Sequence, residues 1–204
     1  APDLALSLQI LLKSEGRREP DLMEVKSMIG DGATKLVERG YAATGSALSE
    51  QELKEKVKKF LEIYSENLIV ETHLYDNCRT VLESLKAQGW KLLICTNKPI
   101  APTIEIMNEF NLHNIFDKAV GGDSYPVKKP DPAHVLNLLN ESGVSAAQAI
   151  MIGDGVNDVL VAKNAGIPSI LFTHGYGTEA AKAQNPDEII NAFIELEDAI
   201  NRLT

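Results

Sequence analysis

An α/β fold is predicted for this chain: a parallel sheet with flanking helices, preceded by a bundle of about four helices. Two observations predict it. Apolar residues before about residue 75 follow helical spacing only, and beyond it helical stretches alternate with short apolar runs of strand length. Strands separated by helices pair in parallel through right-handed crossovers. The chain therefore divides into residues 1–74, all helical, and 75–204, where strand and helix alternate.

In the first part, Leu4, Leu8, Leu11 and Leu12 form one apolar stripe, and Leu53, Val57, Phe60, Leu61, Tyr64 and Leu68 form another. Ser49 followed by Glu52 has the spacing of a capping box for the second of these helices. Between them lie a helix led by Pro20 and the loop Gly30-Asp31-Gly32, which opens a further short helix. In the second part a helix over 77–88 stops at Gly89. The run KLLICT (91–96) reads as a strand, followed by a helix over about 100–111 and a weak strand near 118–121. After a Pro-rich loop come a helix at 132–142, the strand AIMIGD (149–154), a helix at 156–165 and the strand PSILFT (168–173). A terminal helix is expected over about 187–203.

Composition narrows the partners. A net charge of −9 argues against a broad nucleic-acid footprint, which needs a basic surface. It leaves room for a small anion held by local lysines and a metal. No apolar run approaches the ~20 residues of a membrane helix. The start, APDLALSLQILLK, has neither a basic leader nor a small-residue cleavage site, so no signal peptide is expected. Cys78 and Cys95 are the two cysteines and lack metal-ligand spacing. Cys95 reads as a buried free thiol, and a reducing cytoplasm is the expected setting.

Chemistry in such a fold belongs at the carboxyl ends of the strands. Three places there carry polar residues. Thr96-Asn97-Lys98 follows KLLIC, where a hydroxyl and successive backbone N–H groups can hold phosphoryl oxygens, or can simply form a capping turn. Lys128-Lys129-Pro130-Asp131-Pro132 puts an ammonium on a loop stiffened by proline; the alternative is two solvated lysines. Gly153-Asp154-Gly155-Val156-Asn157-Asp158 sets two carboxylates four residues apart at a strand end, a pattern suited to a hard cation with oxygen ligands. Asp158 also fits a helix-start charge favoured by the dipole, which leaves Asp154 unexplained. His73, His113, His134 and His174 are scattered without ligand spacing and read as surface or core residues, and Trp90 as packing. No GxSxG, Walker A or paired CxxC motif occurs.

Taken in order, strand-TNK, VKKPDP and IGDGVND resemble motifs II, III and IV of the haloacid dehalogenase superfamily, and within it the phosphoglycolate phosphatase family. The stretches APDLALSL, IGDGATKLVERG, LKAQGWKLLICTNKP, MIGDGVNDVLVAKNAGIPSI, and THGYG followed by NPDEII carry the likeness over nearly all 204 residues. The resemblance implies a Rossmann-like core with a helical-bundle cap domain, the cap being residues 1–74. It implies a Mg²⁺-dependent phosphomonoesterase working through an aspartyl-phosphate on a small phosphorylated metabolite, 2-phosphoglycolate first. Thr96 and Lys129 would be catalytic and hold the phosphoryl group with help from Asn97. Asp154 would ligate Mg²⁺, and Asp158 would hold the loop or the metal's water shell. The loop of Gly30, Gly32 and Lys35 would close over the substrate.

One departure from the family pattern is marked. Its first motif, an apolar strand followed by DxDGTxxDS, is absent; DxD occurs nowhere, and Asp3, Asp21 and Asp31 do not follow a strand. That motif carries the nucleophile, the general acid/base, part of the metal site and a central strand. Five buried apolar residues are worth on the order of 10 kcal/mol, comparable with a whole domain's ~5–15 kcal/mol. The expectation is thus a piece of a polypeptide longer by about 15–25 residues, folding poorly and inactive by itself. An intact mass of 22.2 kDa with normal Mg²⁺-dependent turnover would refute it. Other expectations are a phosphatase for a sugar phosphate or phosphoserine, and a phosphate- and Mg²⁺-binding pseudoenzyme without turnover. Ion-pumping ATPases share GDGVND but need membrane spans, and a true dehalogenase needs no metal.

Overall fold

The computed structural model describes residues 1–175 and 177–204; Tyr176, within THGYG, lies outside the described residues. The chain divides into two compact units, Ala1–His73 and Leu74–Thr204. The first is helical: α1 (Pro2–Lys13), α2 (Leu22–Met28), α3 (Ala33–Thr44) and α4 (Glu50–Glu66). Leu8, Leu11 and Leu12 of α1 are fully buried, as are Val37 and Tyr41 of α3 and Phe60 of α4. One apolar stripe per helix thus closes a single core, with α4 packed on α1 and α3. Two capping boxes fix where helices start. The Glu24 N–H donates to the Asp21 carboxylate while the Glu24 carboxylate accepts from the Asp21 N–H, and Ser49 and Glu52 repeat the arrangement on α4. Asp3, buried in α1, accepts from the Glu71 N–H and the Thr72 hydroxyl and so ties the unit's end to its start.

In the second unit α5 (Cys78–Ala87) leads into β1 (Leu93–Cys95), then α6 (Ile100–Glu109), β2 (Lys118–Val120), α7 (Pro132–Glu141), β3 (Met151–Gly153), α8 (Val156–Ala165) and β4 (Ser169–Phe172). Then come α9 (Thr178–Lys182), β5 (Glu188–Ile190) and α10 (Leu196–Leu203). Every strand pair is parallel, and the α/β class is as the alternation of elements predicts. All four residues of β4 are buried, as expected for a strand covered on both faces. Helices cover both sides. Val81 and Leu85 of α5 pack with Ile170 and Phe172 of β4, Ile190 of β5 and Leu196 and Ile200 of α10. Val135 and Leu139 of α7 pack with Met151 and with Val161 and Ala162 of α8. Among the described residues, no helix is long and apolar enough to cross a membrane.

Three details depart from the sequence expectation. Among the described residues, the strands form two sheets, β1-β2 and β3-β4-β5, with no ladder joining β1 to β3. The helix expected over 187–203 begins only at Leu196: Glu188–Ile190 pairs with β4 instead, and a 3-10 turn (Phe193–Glu195) intervenes. The short α9 was not anticipated either. The reason is tertiary. Ile190 gains complete burial beside β4, which outweighs the helical spacing of the run that follows it.

Candidate functional site

One side chain, Lys129, bridges the carboxyl end of β1 to the helix that follows β3. It is 8% exposed, and its ammonium donates to the Cys95 carbonyl at 2.6 Å and to Asp158 Oδ1 at 2.6 Å. It is therefore neither of the two solvated lysines considered above, whereas Lys128 beside it is exposed. The Lys129–Pro130 bond is cis.

Asp158 lies in the first turn of α8. Its Oδ2 accepts from the Asp154 N–H at 3.1 Å and the Gly155 N–H at 3.0 Å. Both carboxylate oxygens are thus engaged, one on the ammonium and one on the loop. The approach is close enough to require a glycine. A Cβ on Gly153 would stand 2.2 Å from Asp158 Cγ. The other glycine of the motif, Gly155, makes no such demand, with Asp158 Oδ2 at 3.6 Å.

Thr96 continues the β1–β2 ladder, its N–H donating to the Val120 carbonyl at 3.1 Å. Its hydroxyl accepts from the Lys98 N–H at 3.1 Å, so a turn forms here while the hydroxyl keeps a proton to donate. The Asn97 amide donates to the Lys129 carbonyl at 2.9 Å, stitching the β1 loop to the lysine loop. The Gly122 N–H donates to the Lys98 carbonyl at 2.8 Å, and a Cβ on Gly122 would come within 2.4 Å of the Asn97 carbonyl oxygen.

Asp154 follows β3, against the loop after β4: a Cβ on Gly175 would stand 2.3 Å from Asp154 Cβ. Burial raises the Asp154 carboxyl above the usual carboxylate range; nearby Asp158 pushes it further, and the Lys129 ammonium pulls the other way. Mg²⁺ takes one or two carboxylates and retains several waters, so Asp154 is a donor of the kind it accepts, while the Asp158 oxygens are engaged by Lys129 and the loop. Among the described residues, no cluster of three or more His, Cys, Asp or Glu side chains suited to a metal occurs.

Thr96, Asn97, Lys129, Asp154 and Asp158 are brought together within the second unit. Gly30, Gly32 and Lys35 belong to the first. Gly30 and Gly32 adopt positive φ (129° and 90°) where the chain turns into α3, and Lys35 pairs with Glu38 at 2.6 Å. The feature that sequence reasoning left as a surface or core residue is His134, which has no exposed surface and binds the lysine loop. Its only sequence signal is a titratable residue in the first turn of the helix that follows Lys129.

A family model described as haloacid dehalogenase-like hydrolase matches residues 3–172. The phosphoglycolate phosphatase of Colwellia psychrerythraea is 38% identical over 208 residues, covering 99% of this chain and 91% of that protein. That of Caulobacter vibrioides is 35% identical over 199 residues, covering 98% and 84%. Among solved structures, a predicted phosphoglycolate phosphatase from Haemophilus somnus superimposes with a TM-score of 0.91 at 33% identity, covering 98% of this chain and 91% of that one. On that family match and those relatives, the chain belongs to the haloacid dehalogenase-like hydrolase family.

Proposed function

We propose that this chain carries the phosphate- and Mg²⁺-holding part of a phosphomonoesterase acting on a small phosphorylated metabolite, with 2-phosphoglycolate the first candidate. The observation that carries the reading is the buried Lys129 ammonium, fixed by Cys95 and Asp158 at the strand ends beside Thr96. An ammonium already held in place loses little freedom on meeting a phosphoryl group, and in a dry site its charge acts strongly on the transferring oxygens. Two of its three N–H donors are spent on Cys95 and Asp158; the third would take a phosphoryl oxygen. The Thr96 hydroxyl would donate to a second, and Asn97 would keep the two loops in register. Asp154 would hold Mg²⁺, with Asp158 ordering the loop that carries it; the ion supplies positive charge to the phosphoryl oxygens when bound.

The attacking carboxylate is assigned to an Asp outside these 204 residues, which by themselves would be inactive. Support comes from the open ladders of β1 and β3, whose Ile94 is half-buried and Ile152 is 37% exposed. The first unit would act as the cap that selects the leaving group, through the loop of Gly30, Gly32 and Lys35. The two cysteines are free thiols, which suits a cytoplasmic setting.

The test is a phosphomonoester panel assayed on the full-length polypeptide with and without Mg²⁺. The expected result is fastest turnover of 2-phosphoglycolate, dependent on Mg²⁺. Faster turnover of a sugar phosphate or phosphoserine would move the substrate assignment. Retained phosphate binding with no turnover of any ester would replace the enzyme with a binding protein. The names of the two relatives support the substrate choice, since both are phosphoglycolate phosphatases by description.

A further inference from the structure

We propose that His134 is a positioning residue for Lys129: a neutral imidazole that joins the end of β2 to the lysine loop through both ring nitrogens. The inference rests on the reading of Lys129 as the phosphate-binding cation.

The hydrogen-bond pattern fixes the tautomer. The Lys129 backbone N–H donates to Nδ1 at 3.2 Å, so Nδ1 carries no proton. Nε2 stands 3.1 Å from the Gly121 carbonyl, which can only accept, so Nε2 carries one. Cys95 Sγ lies 3.9 Å from Nδ1, and burial pushes its thiol pKa up, so an S–H is a second donor facing the same nitrogen. The ring thus touches the backbone of Lys129 and the side chain of Cys95, the residue whose carbonyl receives the Lys129 ammonium at 2.6 Å. One imidazole fixes both ends of that contact.

The surroundings oppose a charged ring. Burial lowers its pKa most, and the Lys129 ammonium adds to that; the Gly121 carbonyl and the Asp131 carboxylate at the start of α7 oppose it. His134 is also in the first turn of α7, where the helix dipole disfavours a cation. Tyr125, from the loop after β2, stands edge-on to the ring at 5.8 Å. A proton on Nδ1 would face the Lys129 N–H, a second donor, with only the weakly accepting Cys95 sulfur at 3.9 Å to receive it. The lysine loop would then lose its anchor, and Lys129 its fixed place.

The experiment compares the wild type with His134→Gln, which keeps a neutral acceptor and donor, and His134→Leu, which keeps neither. Three readouts are used. Long-range ¹H–¹⁵N NMR gives the ring tautomer and its titration. Mass-mapped acylation gives the accessibility of Lys129. Sulfate, an oxyanion of constant charge from pH 5 to 8, probes the anion site. The proposal expects an Nε2–H tautomer, and a ring that titrates below an ordinary histidine. With the net worth of two hydrogen bonds removed, Lys129 in His134→Leu should label about tenfold faster at pH 8. Expressed relative to an exposed lysine of the same sample, which cancels the loss of free amine in acid, wild-type labelling should rise as His134 protonates, while His134→Gln should track the wild type at pH 8 and lack the acid change. An Nδ1–H tautomer, an ordinary titration, or the same acid change in His134→Gln would overturn it. So would wild-type labelling in a folded His134→Leu. If that variant does not fold, the NMR and the glutamine variant decide. If sulfate fails to bind the wild type, the phosphate-site reading falls, and the labelling still decides the role of His134.

Discussion

Removing the Lys129 ammonium would leave Asp158 buried with its Oδ1 stripped of a counter-charge. Breaking a buried pair from one side costs about 3–5 kcal/mol, because the surviving charge is stranded. Lys129→Met should therefore lower the urea midpoint by a large fraction of the unit's stability. Lys129→Met combined with Asp158→Asn should recover part of it. A single variant as stable as the wild type would show that water already reaches the pair. Asp154 behaves in the opposite way. It is an acidic group whose burial and proximity to Asp158 disfavour its charge, so Asp154→Asn should stabilise the metal-free protein at neutral pH. The same change should abolish the shift in Tm on adding Mg²⁺, which at a hundredfold excess over Kd would correspond to about 2.7 kcal/mol. A Mg²⁺-dependent shift that survives in Asp154→Asn would remove Asp154 from the proposed metal site. Thr96 and Asp154 were legible in sequence because each stands at the polar end of an apolar run, and Lys129 because prolines follow it. Their partners were not. Lys129 is anchored by residues 34 and 29 positions away, and His134 by Gly121, 13 positions upstream. Such pairings exist only once the strand ends have been brought side by side.

Among the elements, those with a clear start signal and one dominant period were readable. The Ser49 box and the apolar spacing of α4 place that helix, and Asp131 with Pro132 opens α7, where the Ala133 N–H donates to the Asp131 carboxylate at 2.9 Å. The misread element is β5. From Asp187 to Leu203 the chain contains no Gly or Pro, and its apolar residues at 189, 190, 193, 194 and 196 fit a helix as well as a strand. What decides is the edge of β4, which offers Glu188–Ile190 ladder partners, while the Asp187 carboxylate accepts from the Ser169 N–H and hydroxyl at the head of the pairing. Ile190→Ala should therefore cost about 2–5 kcal/mol, as truncation of a fully buried branched side chain does. Ile189→Ala, on a residue 42% exposed, should cost far less. Chemical denaturation of the two variants separates the strand from a helix, in which the two neighbours would not be split so sharply by burial. The division of the strands into two sheets was illegible for a different reason: alternation of strand and helix predicts parallel pairing without fixing which strands are neighbours.

At the scale of the whole chain, acid should act on the two units at different pH. His134 belongs to the second, and its pKa is depressed, so the fold favours its neutral form. The unfolded chain then binds the proton more readily, and stability is lost as pH falls below the unfolded value of about 6.5. Asp154 works against this loss: its pKa is raised, so the fold gains as that carboxyl takes up a proton. The net decline is the His134 loss less the Asp154 gain, and Asp154→Asn should deepen it. In the first unit the groups with resolved carboxyl shifts are Glu15, Glu24 and Glu52, all depressed. Burial of Glu15 opposes its shift, and the Lys56 ammonium and Tyr41 hydroxyl more than offset that. For Glu24, the Arg18 guanidinium and the Asp21 N–H hold the carboxyl down at about 2. A depressed carboxylate contributes stability above its unfolded pKa of about 4.3 and loses it as pH falls towards the folded value. Amide hydrogen exchange, corrected for the intrinsic rate at each pH, should therefore quicken first in residues 74–204, between about pH 6.5 and 5. Exchange in residues 1–73 should hold until the pH drops below about 4.3. His134→Gln should remove the early stage and leave the late one. Simultaneous loss of protection in both units, or earlier loss in the helical one, would show that these shifts do not govern the acid response.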